Sequence, residues 1–387
     1  ALLTPVTCVL AAALSSKNAV PIFLNTKCLD RLHDVMERFH DNAKLQIACC
    51  RVLLYVATTR GGATYVMQSK GYETAIAALE SVSDEYMEVC SNLLNMLTRD
   101  PVNHYKLVAA DVIRALLHIL SEQTVDEIAD PALNAIKNLI QNPEIVPKFT
   151  EEAELTALCG CFPRIRGQAH STLCDVLVQI LSNVKQFPSP LSSTVTDTIV
   201  SLTAEMAHDT TTMQTLLDIL RNASATEANR EALLHSDFVN MIFVMVADFI
   251  ANRDLVQLFL TAFEPFLEDA LFAEAVVADT TVVTEGSVPV IVDVMGRYTT
   301  VVSIQSAGIK VLRAVAQFIP SGIVELGATV VCIRCIQLCI SEEQIVLDGC
   351  CTLLSMVTDP EEKTAVASRQ AIVANGGLEP FYITLQR

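Results

Sequence analysis

Tryptophan is absent from the 387 residues, glycine and proline number only 13 and 14, and Lys plus Arg reach 26 against 44 acidic residues. Each shortage removes a class of answer. So few Gly and Pro cannot punctuate the many turns of an all-β chain. The deficit of basic residues leaves a net charge of −18, a field that neither nucleic-acid phosphate nor an anionic membrane surface rewards as the main partner. No basic run and no low-complexity segment occurs. The chain also lacks GxxxxGK[ST], GxGxxG, GxSxG and HExxH, and its seven His are scattered without an evident nucleophile partner. Phosphate cradling, dinucleotide binding, a hydrolase elbow and a zincin are therefore unsupported, no cofactor is called for, and the expectation is a protein that is not an enzyme.

What the chain does have is apolar and helical. Hydrophobic residues make up 51% and charged residues 18%. At this length one globular core usually stops growing, so several domains or an elongated array of repeats is expected. The 13 cysteines include the neighbours Cys49/Cys50 and Cys350/Cys351. Adjacent thiols in apolar helical runs read as small buried hydrophobes in a reducing compartment, which points to the cytoplasm. The opening "ALLTPVTCVLAAALSS" is uncharged over 16 residues but has no initiator Met and no basic leader, and it is too short to span a bilayer comfortably. It reads as the last helix of a unit whose beginning is missing, and "VANGGLEPFYITLQR" reads as a unit cut short. The expectation is a fragment of a longer chain, with its own flanking regions among its neighbours and no membrane span.

Internal repetition decides the architecture. "CCRVLLYVAT" from Cys49, "VCSNLLNMLT" from Val89, "ALNAIKNLIQ" from Ala132, "LVQILSNVKQ" from Leu177 and "LLDILRNASA" from Leu216 align on Tyr55, Asn95, Asn138, Asn183 and Asn222, in steps of 40, 43, 45 and 39 residues. Other apolar helices precede each of these, as in "KCLDRLHDVMERF", "YETAIAALESV" and "DVIRALLHILSEQ", and "NAVPIFL" at Asn18 parallels "EIVPKFT" at Glu144. The layout is a short helix, a second helix and a longer third helix per unit. Later units continue it with Glu264, Ala314 and Ser355 at the Asn position. Pro101, Pro131, Pro143, Pro265 and Pro320 fall near inferred helix starts or junctions. One solenoid over 1–387 is expected, with approximate units 1–17 (partial), 18–61, 62–101, 102–142, 143–187, 188–226, 227–268, 269–318, 319–359 and 360–387 (partial).

"EGSVPVIVDVM" at Glu285, "IQSAGIKVLRAVAQ" at Ile304 and "NGGLEPFYITL" at Asn375 resemble the armadillo-repeat family, with HEAT repeats its close neighbour. The resemblance implies an all-α, right-handed armadillo/HEAT-type α-solenoid of about eight repeats with partial repeats at both ends. It also implies a concave groove of third helices in which an Asn pairs with a ligand's main chain. Carried to this sequence, that role falls on Asn95, Asn138, Asn183 and Asn222, with Tyr55 at the first equivalent position. Where importin-alpha-like proteins carry Trp four residues earlier, this chain has Ser91, Asn134, Gln179 and Asp218, which argues against nuclear-signal binding. The catenin type presents basic groove residues, and Arg51 is one such residue at the first equivalent position. The expected role is a scaffold or adaptor binding an extended or helical protein segment, with a basic segment accommodated by the acidic chain. Structural membership of a cytoskeletal or ciliary assembly, or a regulatory co-chaperone module, is the alternative.

An amide both donates and accepts, so it can satisfy a peptide unit whatever the side chain. The same stripe, with Asn134, Asn138 and Asn142 at helical spacing, is also explained by bonds between repeats or by an uncommitted surface. Cys332, Cys335 and Cys339 with Cys350/Cys351, and Cys159, Cys161, His170 and Cys174, have metal-ligand chemistry. Their placement in apolar helical patterns favours packing, and no metal is expected. "SDEYMEVC", "SEQTVDEIAD" and "TEEAELTAL" place acids at helix starts, where they complement the helix dipole.

Overall fold

The computed structural model describes residues 2–16, 19–24, 28–81, 83–206, 208, 210–278 and 287–385. Asn18, Lys27, Glu285 and Gly286, quoted above in three helical segments, lie outside the described residues. Regular structure among the described residues is entirely helical, and the chain forms two compact units, Ala1–Val184 and Lys185–Arg387.

In the first unit α1 (Leu3–Leu14) is followed by four triplets: α2 (Ala19–Leu24), α3 (Cys28–Arg38) and α4 (Ala43–Ala57); α5 (Gly62–Gln68), α6 (Gly71–Ala77) and α7 (Asp84–Thr98); α8 (His104–Ala109), α9 (Val112–Glu122) and α10 (Asp126–Leu139); α11 (Val146–Phe149), α12 (Glu152–Cys159) and α13 (Gly167–Leu181). The third helices α1, α4, α7, α10 and α13 pack each on the next, and α3, α6, α9 and α12 form a parallel row. The second unit opens with α14 (Ser193–Met206) and α15 (Thr210–Ala223). It continues with α16 (Glu227–Leu234), α17 (Phe238–Asp248) and α18 (Arg253–Thr261); α19 (Ala270–Ala278), α20 (Ser287–Arg297) and α21 (Val302–Phe318); α22 (Ser321–Val324), α23 (Ala328–Leu338) and α24 (Glu343–Val357); and α25 (Glu362–Ala374) and α26 (Leu378–Leu385). There α15, α18, α21 and α24 form one row and α14, α17, α20 and α23 the other.

Local chemistry starts and stops these helices. Asn42 caps α4 by accepting from the Leu45 N–H at 3.2 Å, and Asn252 caps α18 in the same way from Leu255 at 3.3 Å. Asp84/Glu85, Asp126/Glu127 and Glu152/Glu154 occupy the first turns of α7, α10 and α12, where a carboxylate meets the positive helix end. Gly327, at φ 87°, makes the left-handed entry to α23 that a side chain would resist. Pro101 and Pro265 open short 3-10 turns, Pro320 precedes α22 and Pro143 lies in the turn after α10. Pro131 departs from the expectation, because it sits inside α10. Its ring forgoes the backbone bond to residue 127, a loss tolerated because the surrounding helix is buried on Ile128, Ala132, Leu133 and Ile136.

No single apolar stripe is buried alone, since each helix covers its neighbours' stripes in turn. The two cores differ in filling. The first is aliphatic and sulfur-rich: Cys49, Cys50, Cys90, Leu53, Leu93 and Leu97 are all fully buried. The second stacks phenyl rings, with Phe243–Phe263 centroids at 4.9 Å and Phe238–Phe266 and Phe263–Phe272 each at 5.2 Å. Burying one such ring stabilises by about 1.5–3 kcal/mol. Among the described residues, no helix is long and apolar enough to cross a membrane.

Candidate binding face of the third helices

In the first unit the polar residues of the third helices lie on consecutive neighbours. Asn138 on α10 donates from Nδ2 to Asn95 Oδ1 on α7 at 3.5 Å and to Thr98 Oγ1 at 3.2 Å. Both amides are half-buried. Among the described residues this leaves the Asn95 Nδ2 and the Asn138 Oδ1 unengaged, one donor group and one acceptor side by side. Asn134 is turned onto its own helix, with Nδ2 giving bonds of 2.9 Å to the Asp130 carbonyl and carboxylate. Ser91 is buried and donates to the Glu88 carbonyl at 2.9 Å.

The expected stripe does not continue straight along α10. Asn142 lies beyond the end of α10, in the following turn, where its Oδ1 accepts from the Glu144 N–H at 3.1 Å. Asn183 also falls past its helix, since α13 ends at Leu181. It is exposed and its Nδ2 donates back to the Gln179 carbonyl at 2.7 Å. Gln179 reaches the neighbouring helix, with Nε2 3.5 Å from the Ile140 carbonyl. In contact terms Gln179, rather than Asn183, lies alongside the end of α10.

Arg51 and Tyr55 lie on α4, both half-buried. The Arg51 guanidinium meets Glu85 of α7 at 2.7 Å, with the two side chains 43% and 54% exposed, so solvent screens the pair and it adds little stability. They line a groove of about 370 Å³ with Thr4, Cys8, Lys44 and Glu85. Lys137–Asp175 at 2.9 Å is the equivalent exposed tie between α10 and α13. In the second unit Asp218 is exposed and pairs with Arg221 at 3.4 Å, and Asn222 is exposed on α15. There the third helices are joined by charge. Glu264 lies 3.8 Å from Arg221 and 3.9 Å from Lys310, and Arg313 is hydrogen-bonded to Asp348, whose side chain is only 2% exposed.

Two residues of the third helices were not singled out by sequence reasoning. Gln46 is buried and donates to the Met36 and Phe39 carbonyls at 2.8 and 3.0 Å, and Gln305 does the same to Met295 and Tyr298 at 2.8 and 3.1 Å. Each satisfies the orphan carbonyls at the end of the preceding second helix. The signal was present as Gln at the fourth helical position in "AKLQ" and "VSIQ".

The thiol groups are core residues. Nine of the 13 cysteines are buried, and burial pushes the Cys49 thiol up to about 12 and Cys161 to about 11 from 9.0. Burial likewise holds Cys332 well above its ordinary value and Cys335 at about 12. Thiols held protonated in this way are poor metal ligands and poor nucleophiles. The His170 ring sits against Phe162 with centroids 5.0 Å apart, and its Nδ1 is bonded to the Ile165 backbone at 3.1 Å.

No family model matches the sequence, and no curated protein matches it. Solved structures do. A chain from a structure of the interaction between cadherin and β-catenin superposes with a TM-score of 0.53 at 13% identity, covering 91% of this chain and 66% of that one. Computationally designed armadillo repeat proteins for modular peptide recognition give 0.42 at 16% identity, covering 62% of this chain and 99% of theirs. A designed armadillo repeat protein in complex with a (KR)4 peptide gives 0.39 at 15% identity over 62% and 99%. The fold is that of an armadillo-type α-solenoid.

Proposed function

We propose that the protein is a non-catalytic scaffold that binds an extended segment of a partner protein across the third helices of its first unit. The observation that carries this reading is the Asn95–Asn138 pair, which holds the two amides against each other while leaving a donor and an acceptor half-exposed and unengaged. A peptide unit needs that combination and reads no side chain through it. Arg51 and Tyr55 extend the face toward α1, Gln179 extends it toward α13, and Asn134 supports it from within α10. Asn183, which is exposed, is assigned a peripheral contact, and the exposed Asp218 and Asn222 of the second unit are left outside this face. The cadherin–β-catenin structure lends this reading the precedent of its fold.

Selection of random 12-residue peptides displayed on phage against the 387-residue chain tests it. Enriched peptides should bind Asn95→Ala/Asn138→Ala about tenfold or more weakly, with an unchanged melting profile. Equal binding by the double variant would remove this face from the account.

A further inference from the structure

Lys70 before α6, Asp111 before α9 and Gly327 before α23 all enter a second helix at positive φ, which gives these helices a common register. The third, seventh and eleventh residues after that point fall on one line, i, i+4 and i+8, on the side turned away from the core. On α9 they are Arg114, His118 and Glu122, and on α6 the first two are Glu73 and Ala77. On α23 they are Val330, Arg334 and Leu338, with Leu326 directly before Gly327. Val330, Leu338 and Leu326 are 39%, 52% and 45% exposed, while Cys332, Ile333, Cys335 and Ile336 on the opposite side are buried. Large apolar side chains thus hold a line that is polar on α9, and such a line marks a contact surface.

The solenoid leaves this side of a second helix open even where neighbours flank it. α9 is packed between α6 and α12, yet its Arg114 and Glu122 are exposed. α23 is flanked likewise, by α20 and by the turn between α25 and α26, whose Asn375 and Gly376 carbonyls each face Gln337 Nε2 at 3.4 Å. Charge singles out Arg334 as well. Residues 185–387 hold 24 of the 44 acidic residues and only 11 of the 26 basic ones. Arg253, Arg297, Arg313 and Lys363 each pair with a carboxylate there. Arg334 is exposed and makes no hydrogen bond or ion pair among the described residues. An unpaired guanidinium therefore sits in the middle of an apolar line, in the unit richer in carboxylates.

We propose that the Leu326–Leu338 face of α23 docks a helix of a partner protein whose contact side carries an Asp or Glu between two apolar residues. The occupant is a helix because an extended segment would press its own N–H and C=O groups onto side chains that cannot satisfy them, whereas a helix bonds its own. It carries an acid because covering Arg334 takes the guanidinium out of water, a cost that a carboxylate opposite it offsets through paired N–H···O bonds. One cation in an acidic unit gives an anionic membrane or a nucleic acid little to hold. This face shares no residue with the Asn95–Asn138 face of the first unit, so either can fail alone.

A phage library of a monomeric helical miniprotein with one face randomised, selected against the 387-residue chain and in parallel against Arg334→Glu, tests this. The wild type should select helices with Asp or Glu between apolar residues, and Arg334→Glu should select Lys or Arg at the same place. Helices selected on the wild type should bind Val330→Ser/Leu338→Ser and Arg334→Glu at least about tenfold more weakly, and Asn95→Ala/Asn138→Ala equally well. The altered side chains are exposed, so melting profiles should hold, and Leu338→Ser alone serves if the double variant melts early. Selected helices without an acidic preference, a preference that Arg334→Glu leaves unreversed, or binding indifferent to the serine variants would overturn the proposal. Self-association of the wild type that Leu338→Ser abolishes would give the face to a second copy and overturn it too.

Discussion

The two units build the same rows of third helices with different glue. The first ties its neighbours with neutral amides and exposed ion pairs over a core of aliphatic groups and protonated thiols. The second ties them with the buried Asp348 carboxylate and the shared Glu264 over a stack of phenyl rings. An amide tie is neutral and leaves each partner a spare donor or acceptor. A buried carboxylate that loses its cation is left uncompensated. The comparison sets hydrogen-bonding groups left spare in the first unit against a buried, compensated charge in the second.

The largest break should come from the phenyl core. Phe263→Ala removes a ring packed against Phe238, Phe243 and Phe272 and should cost the second unit about 4 kcal/mol. Cys50→Ala, in the first core, deletes only a sulfur and should cost about 1 kcal/mol. Hydrogen exchange resolved by segment distinguishes them, and equal losses of protection would erase the difference in filling.

Arg313→Ala comes next. It leaves Asp348, 2% exposed, without its cation, and should weaken the second unit by about 3 kcal/mol. Urea unfolding should show Arg313→Ala/Asp348→Leu recovering much of that loss. Failure to recover would mean the cost lay in Arg313's packing.

Alkali bounds the contrast, because it acts on a feature the two units share. Thiols raised by burial favour the neutral form in the folded state, so their stabilisation is complete below the ordinary 9.0 and is lost as pH climbs toward 11–12. Both units hold thiols in this condition, Cys49, Cys50 and Cys161 with the buried Tyr86 in the first and Cys332 and Cys335 in the second, so both should lose exchange protection as pH rises above 9.0. Loss confined to one unit would say that the thiols do not govern it. The smallest effect is shared: Gln46→Ala and Gln305→Ala should each cost about 1–2 kcal/mol by stranding two carbonyls, and calorimetry should find the two costs alike in the two units.

Much of the fold was legible because the apolar period and the repeat spacing act together. Acidic first turns at Asp84, Asp126 and Glu152, and thiols such as Cys49 and Cys332 as core residues, follow from position alone. The site was legible only in part. Spacing placed Asn95 and Asn138 at equivalent positions, yet it could not tell that they bond each other, because that distance depends on how α7 and α10 slide. It extended the stripe to Asn142 and Asn183, whereas α10 stops at Leu139 and α13 at Leu181. Helix ends are set by capping and tertiary fit, which periodicity does not register. Gln46 escaped notice because a polar residue beside an apolar stripe reads as surface until the carbonyls it serves are seen.

The most direct test of the binding face places a photoreactive amino acid at Asn134 on α10, or at His118 on α9 as a control, in cells. The account predicts covalent partner adducts from position 134, mapped to an extended segment and lost when Asn95 and Asn138 are both alanine. Adducts from position 118 alone, or adducts from position 134 indifferent to those two substitutions, would contradict it.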